Sequence, residues 1–402
     1  MNQQNRVAIV GIGMVSCLGD SWDKVAQSLR QLTSGIGVDE QRIHLGFNSP
    51  LSGIIKDLDY KKVLNRKARK SMAEHCLQSY FASEAALRMA GLAEEDIQNN
   101  QTGLVFGCDS SALAAIEQVR LVKEAGDTSS IGSGLIFQSM TSNVTMNLNT
   151  LLNTKGASWS LSSACSSGGH AIGQAADLIA YGRQERMICG GAQEINWESI
   201  CSFDALGAFT KAQSRPFDKD RDGLVPSGGA AVVVLENYEL AKKRGCPILG
   251  EVLSYAFSSD GNHLSIPSEE GLCRAMNEAL QRASLKPEDI DYLAAHATST
   301  PAGDAAEAKN IYKVFGDRQP YVASYKGLTG HELWMSGASQ VVYSTIAARE
   351  GFMTANAHFN EGDEDSKKLN ILTETKEQAP ENVLLNAAGF GGTNSCLVLQ
   401  YA

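Results

Sequence analysis

Short apolar runs of strand length recur along the whole chain, separated by stretches with helical periodicity. Residues 7–10, 103–106, 157–161, 187–189, 230–235, 249–256, 292–295, 321–323, 383–386 and 396–400 read as strands. Residues 71–89, 271–283 and 303–314 read as helices between them. Most of the strand runs are apolar on both faces, which suits sheets covered on both sides. The alternation restricts the chain to an α/β fold with largely buried sheets. A glycine pair leading into an apolar strand occurs twice, at Gly228-Gly229 and at Gly391-Gly392. The echo predicts two similar halves, 1–245 and 246–402, joined at the basic turn Lys242-Lys243-Arg244-Gly245-Cys246-Pro247.

Its 402 residues, 43% hydrophobic and 20% charged, suit a soluble globular protein of two or three modules or of one large two-lobed core. A net charge of −10 speaks against a nucleic-acid surface. The local exception is Lys61, Lys62, Arg66, Lys67, Arg69 and Lys70, which reads as a solvated helix face or as a docking patch for an acidic partner. Nine scattered cysteines without a CxxC pair suggest neither a disulfide framework nor a zinc site, and a reducing cytoplasm fits them. No run approaches the ~20 apolar residues that span a bilayer. Residues 7–15 read as a first strand rather than a signal peptide. Gly11-Ile12-Gly13 lacks the third glycine of a dinucleotide fingerprint, because Ser16 stands there, and a tight turn is expected instead.

Chemistry concentrates in segments that follow strands. Cys165 lies in Ser162-Ser163-Ala164-Cys165-Ser166-Ser167-Gly168-Gly169-His170, between an extended stretch and a helix. A sulfur at such a corner faces unpaired backbone N–H groups, which favour thiolate. A nucleophile and a buried inert cysteine are both compatible with this placement. His296 follows another strand and opens His296-Ala297-Thr298-Ser299-Thr300-Pro301-Ala302-Gly303-Asp304. Lys326 and His331 flank the small-residue loop Lys326-Gly327-Leu328-Thr329-Gly330-His331. Gly389-Phe390-Gly391-Gly392-Thr393-Asn394 offers backbone N–H groups to an oxyanion, or simply a tight strand connection.

Together these segments resemble the beta-ketoacyl-acyl carrier protein synthases, the condensing enzymes of fatty acid synthesis. The stretches Phe203-Asp204-Ala205-Leu206-Gly207-Ala208 and Arg221-Asp222-Gly223 fit that family too, and Asn370-Ile371-Leu372-Thr373-Glu374-Thr375 leans towards the type I elongating synthases. The resemblance implies a thiolase-like fold of two duplicated halves in a five-layer α-β-α-β-α sandwich, assembled as a homodimer. It implies that Cys165 takes an acyl chain from acyl carrier protein as a thioester. Malonyl carrier protein then loses carbon dioxide and its carbanion attacks that thioester. His296 and His331, both neutral, would donate to the growing enolate, and Lys326 would supply fixed positive charge. The N–H groups of Cys165 and Phe390 would hold the tetrahedral oxyanion, with Phe390 as gate of the acyl channel. Thr298 and Thr300 would bond the phosphopantetheine arm, and Phe203 and Leu206 would line the acyl pocket. Lys67 and Lys70 match the carrier-docking positions. The arm arrives on the carrier protein, so neither a bound cofactor nor a metal is expected.

The chain departs from the family in places. Gln340 stands where a glutamate usually pairs with the lysine, Trp334-Met335-Ser336 replaces a small Gly-Ala-Ala stretch, and Ala297 replaces a glycine. Glu332 is a candidate substitute for the missing charge. A thiolase would want a second reactive cysteine near the last glycine loop, whereas Cys396 lies inside the final strand. A cysteine hydrolase would leave the loop from Lys326 to His331 without a task. A non-catalytic chain-length subunit would lack Cys165, although Gln340 fits it. Acyl chain length stays open, as does the choice between fatty acid synthesis and a specialised polyene or polyketide pathway.

Overall fold

The computed structural model describes residues 4–56 and 58–401. Among these, ten strands form a mixed sheet: β1 (Val7–Val15), β2 (Thr102–Gly107), β3 (Ser158–Leu161), β4 (Arg186–Gln193), β5 (Gly229–Asn237), β6 (Gly250–Ser259), β7 (Tyr292–Ala294), β8 (Tyr321–Ala323), β9 (Asn382–Gly389) and β10 (Thr393–Gln400). Their spatial order is β3-β2-β4-β5-β1-β6-β10-β9-β7-β8. Read outward from the middle, the first five strands and the last five follow the same order, so the topology repeats. The two fives join where Ala8 pairs with Glu251 and Ile9 with Gly250.

Five helices complete the layers: α1 (Glu74–Met89), α2 (Ser167–Ala180), α3 (Gly271–Ala283), α4 (Pro301–Phe315) and α5 (Ser336–Arg349). Helices α2 and α5 touch strands of both halves and so lie between them, α1 covers β1 and β5 outside, and α3 covers β6 and β10. The result is the five-layer sandwich. Strand residues alternate between layers as the pleat demands. Ala231, Val233 and Leu235 of β5 enter the central core, and Ala230, Val232 and Val234 the core beneath α1. In β10, Leu397 and Leu399 face the centre while Cys396 and Val398 face α3. Burial on both faces explains why these strands read as unbroken apolar runs. Among the described residues no helix is long and apolar enough to cross a membrane.

The tight turn expected at Gly11-Ile12-Gly13 is not formed, because both glycines lie within β1. A Cβ on Gly11 would stand 2.1 Å from the Ala86 carbonyl oxygen, and one on Gly13 2.0 Å from that of Ala82. The glycines let α1 press its backbone onto the strand. Gly13→Ala should therefore cost about 1–3 kcal/mol of stability, read as a lower denaturation midpoint with an unchanged slope.

Candidate active site

Cys165 lies just beyond β3, where the chain turns into α2. Ala164 takes it through that corner at φ +47°, a left-handed conformation strained for a residue with a Cβ. The Ser167 hydroxyl holds the corner, accepting from the Ser163 N–H at 2.7 Å and donating to the Ala164 carbonyl at 2.6 Å. Ser166 donates to the Ser163 carbonyl at 2.7 Å and meets the Thr393 hydroxyl at 2.9 Å. Gly389 passes behind, where a Cβ would stand 2.7 Å from the Ser163 oxygen. The sulfur faces the backbone N–H groups of Cys165 itself and Phe390. Burial nevertheless pushes its thiol up to about 12, against the pull of Lys326 and those two N–H groups. The resting group is thus a thiol, not the thiolate that the helix start favours. Desolvation outweighs the local dipoles here.

The strands β7, β8 and β9 run parallel, so the segments that follow them emerge at one edge of the sheet. His296, Lys326 and Phe390 lie on those segments. His331 is tied to the other half: its N–H donates to the Val225 carbonyl at 2.6 Å, and its carbonyl accepts from Ser227 N–H at 2.9 Å. The two imidazoles meet edge to face, with centroids 5.1 Å apart and planes at 86°. Burial first, and then the Lys326 charge, holds both well below the usual histidine range. Each is therefore neutral near pH 7, with one N–H to donate. His331 Nδ1 lies 3.2 Å from the Ser336 hydroxyl, while His296 Nδ1 has no partner among the described residues.

Buried Lys326 is lowered to about 8 by desolvation, and Glu307, Glu332, Cys165 and Asp304 pull it back up. Glu307 went unnoticed in the sequence, where a carboxylate inside a helix looks like any solvated charge. From α4 it accepts the N–H groups of His296 at 2.9 Å and Ala297 at 2.6 Å, and the Asn386 amide at 3.1 Å. It thereby fixes the loop that carries His296. Gln340 donates to the carbonyls of Ala294 at 3.2 Å and Ala295 at 2.9 Å. Glu332 turns inward, where Tyr343 donates to it at 2.6 Å and Ser339 also donates.

Cys165, His296, Thr298, Thr300, Leu206 and Phe390 line one cavity of about 320 Å³, whereas Lys326 and His331 are not on its wall. The Thr298 and Thr300 hydroxyls are 2.9 Å apart. Half-exposed Phe390 stacks on Phe203 with centroids 6.0 Å apart, and Phe203 packs in the apolar cluster that includes Cys165. Cys396 faces the outer core under α3 and does not line that cavity, so it does not supply the second reactive cysteine a thiolase would want. Lys67 and Lys70 are exposed and lie with Arg66 and Arg69 around a separate shallow depression.

Residues 4–241 match the family described as Beta-ketoacyl synthase, N-terminal domain, and residues 249–360 match Beta-ketoacyl synthase, C-terminal domain. The chain belongs to the beta-ketoacyl synthase family. It is 36% identical to the 3-oxoacyl-[acyl-carrier-protein] synthase 1 of Haemophilus influenzae over 98% of each chain. It is also similar to a crystallised beta-ketoacyl synthase from Burkholderia phymatum, with a TM-score of 0.94 and 32% identity over 99% of this chain and all of that one. A third likeness is to AntDE:AntF, a type II polyketide acyl-carrier protein in complex with its ketosynthase, with a TM-score of 0.90 and 25% identity over the full length of both.

A thiol held as high as about 12 has a thiolate fraction that rises tenfold per pH unit. Alkylation of Cys165 in the free protein should climb about tenfold per unit between pH 7 and 10, followed by peptide mass mapping. A plateau below pH 9 would mean that the helix start prevails over burial.

Proposed function

We propose that this protein is an elongating condensing enzyme that extends carrier-bound acyl chains by two carbons in fatty acid synthesis. The observation that carries the reading is the pair of neutral imidazoles, buried His331 and half-buried His296, beside a cavity that holds a single cysteine. A hydrolase needs one base. Two neutral N–H donors suit a reaction in which negative charge develops on a thioester oxygen without being quenched by a proton.

In this reading the Cys165 sulfur attacks the acyl thioester, the carbon–sulfur bond to the phosphopantetheine arm breaks, and the thiol proton leaves with the departing sulfur. The N–H groups of Cys165 and Phe390 hold the tetrahedral oxyanion, and each lost donor of that kind costs about 3–4 kcal/mol of barrier. The malonyl thioester then sheds carbon dioxide, leaving an enolate whose oxygen is held by His296 and His331. Its carbon attacks the acyl group on Cys165, and the released thiolate takes up a proton. Thr298 and Thr300 hold the arm, Phe203 and Leu206 flank the acyl chain, and Phe390 swings at the mouth. The carrier protein supplies the phosphopantetheine, so no resident cofactor enters the chemistry.

Acyl carrier protein is the partner we assign to the cluster of Lys67 and Lys70. A second copy of the chain is the partner we assign to β3. The outer edge of β8 is covered by the segment around Asn370 and Leu372, which bonds Val322 at 2.9 Å on both sides. The edge of β3 pairs with no strand among the described residues. Leu113, Ile116, Val119, Ile136, Phe137 and Trp159 are exposed in that half. A free edge beside apolar surface is a liability unless another chain covers it. We place the protein in the cytoplasm and its halves at 1–245 and 246–402.

Cys165→Ala should abolish transfer of an acyl group from acyl carrier protein while leaving the melting temperature nearly unchanged. Intact-mass measurement reads the first and calorimetry the second. Continued chain extension by that variant contradicts the proposal. Lys67→Glu with Lys70→Glu should raise KM for carrier protein several-fold and flatten its salt dependence, with kcat retained.

A further inference from the structure

Glu332 is a buried carboxylate in a position where the surrounding sequence gives no reason for one. It lies between His331 and the start of α5. Its two oxygens are taken by hydroxyls from one face of α5, Tyr343 at 2.6 Å and Ser339. No ion pair to Glu332 is formed within ordinary contact distance among the described residues. A carboxylate out of water with only hydroxyl donors costs several kcal/mol unless a nearby cation offsets it. The buried cation of this region is Lys326. Gln340 cannot serve that cation. Both hydrogen bonds of its amide nitrogen go to the Ala294 and Ala295 carbonyls, and its own oxygen is buried without a partner. A carboxylate at 340 would set oxygen against those two carbonyls.

We propose that Glu332 supplies the negative charge that keeps Lys326 protonated, in place of a carboxylate at position 340. It is a positioning residue, since it acts through Lys326, and its effect on turnover rests on the synthase reading above. The other groups that act on Lys326 are Glu307 and Asp304 from α4, Cys165 at the start of α2, and the two imidazoles. Those that act on Glu332 are Lys326, Tyr343 and Cys17. Glu307 is the strongest of the carboxylates, but three N–H donors already share its charge. Burial drives Glu332 up to about 7 and Lys326 down to about 8, and each opposes the other's shift. Removing the Glu332 charge therefore lowers Lys326 further, and its proton is lost at a lower pH.

The test is the pH profile of malonyl carrier protein decarboxylation by the full chain, in Glu332→Gln and Glu332→Asp. The first keeps shape and removes charge, and the second keeps charge. Glu332→Gln should move the alkaline limb down by about one pH unit, so that the rate at pH 8 falls about fivefold. Glu332→Asp should stay within about 0.3 unit of the parent. An unmoved limb in Glu332→Gln, or an equal shift in both variants, overturns the proposal. A second arm needs no activity: the melting temperatures of Glu332→Gln, Lys326→Met and the double variant. Each single change removes one member of the pair and leaves the other buried charge less compensated, so the double should melt above the sum of the two losses. Additive losses overturn the charge pairing. If Glu332→Gln does not fold, recovery of folding in the double variant supports the pairing, and failure to recover overturns it. If the parent protein decarboxylates nothing, the synthase reading falls, and the melting cycle still decides the pairing.

Discussion

A Cβ on Gly337 would stand 2.3 Å from the backbone nitrogen of Gly169, and one on Gly168 would stand 2.8 Å from that of Ala338. The first turns of α2 and α5 thus touch backbone to backbone. Gly191 of β4 adds to the crossing, because a Cβ there would lie 2.8 Å from Met335 Cα. The chemistry of the site depends on this contact. Cys165 stands just before α2 and His331 just before the turn into α5, so residues from opposite halves meet because the two helix starts meet. A side chain at the crossing would part the sheets' central layer and separate sulfur from imidazole.

Electrostatics then divides the work between groups that share little solvent. Lys326 lowers both imidazoles as well as the thiol. In the proposed condensation an imidazolium would hand its proton to the enolate and quench the carbon nucleophile. A neutral ring can only donate a hydrogen bond. The lysine thus adds to burial in keeping both imidazoles uncharged, and buried carboxylates are what let a lysine remain charged in such a place. Glu307 ties this balance to geometry, since the oxygens that act on Lys326 also receive the backbone of His296 and Ala297.

The layers were legible in the sequence because burial on both faces erases polar alternation. Runs such as 230–235 can then hardly be anything but interior strands. Cys165, His296, Lys326 and His331 stood out because each follows a strand and sits among small residues. What escaped notice was set by long-range approach. Nothing local in Gly11-Ile12-Gly13 reveals that Ala82 and Ala86 will press against it. Nothing local distinguishes Glu307, whose partners come from two other segments. The thiolate expected at Cys165 failed for a related reason: local dipoles can be read from neighbours in the chain, but the desolvation that outweighs them comes from the whole fold.

The segment from Glu332 to Ser336 shows how the chain absorbs its departures. Its ends are fixed, by the His331 backbone bonds to Val225 and Ser227 on one side and by the Gly337 contact on the other. Larger residues between fixed ends cannot move the backbone outward, so they must differ in direction. Leu333 adopts φ +46° and packs into the cluster that holds Cys165. The Trp334 indole N–H donates to the Ser162 hydroxyl at 2.8 Å, and Met335 enters the central core. Leu333 and Trp334 thereby pack beside Cys165 while His331 and α5 keep their places. A change of substrate range needs no more than this, because one methylene in an apolar pocket shifts discrimination by only about 1–3 kcal/mol. The bulk at Trp334 therefore bears on what fits next to Cys165 rather than on whether the sulfur and the imidazoles meet.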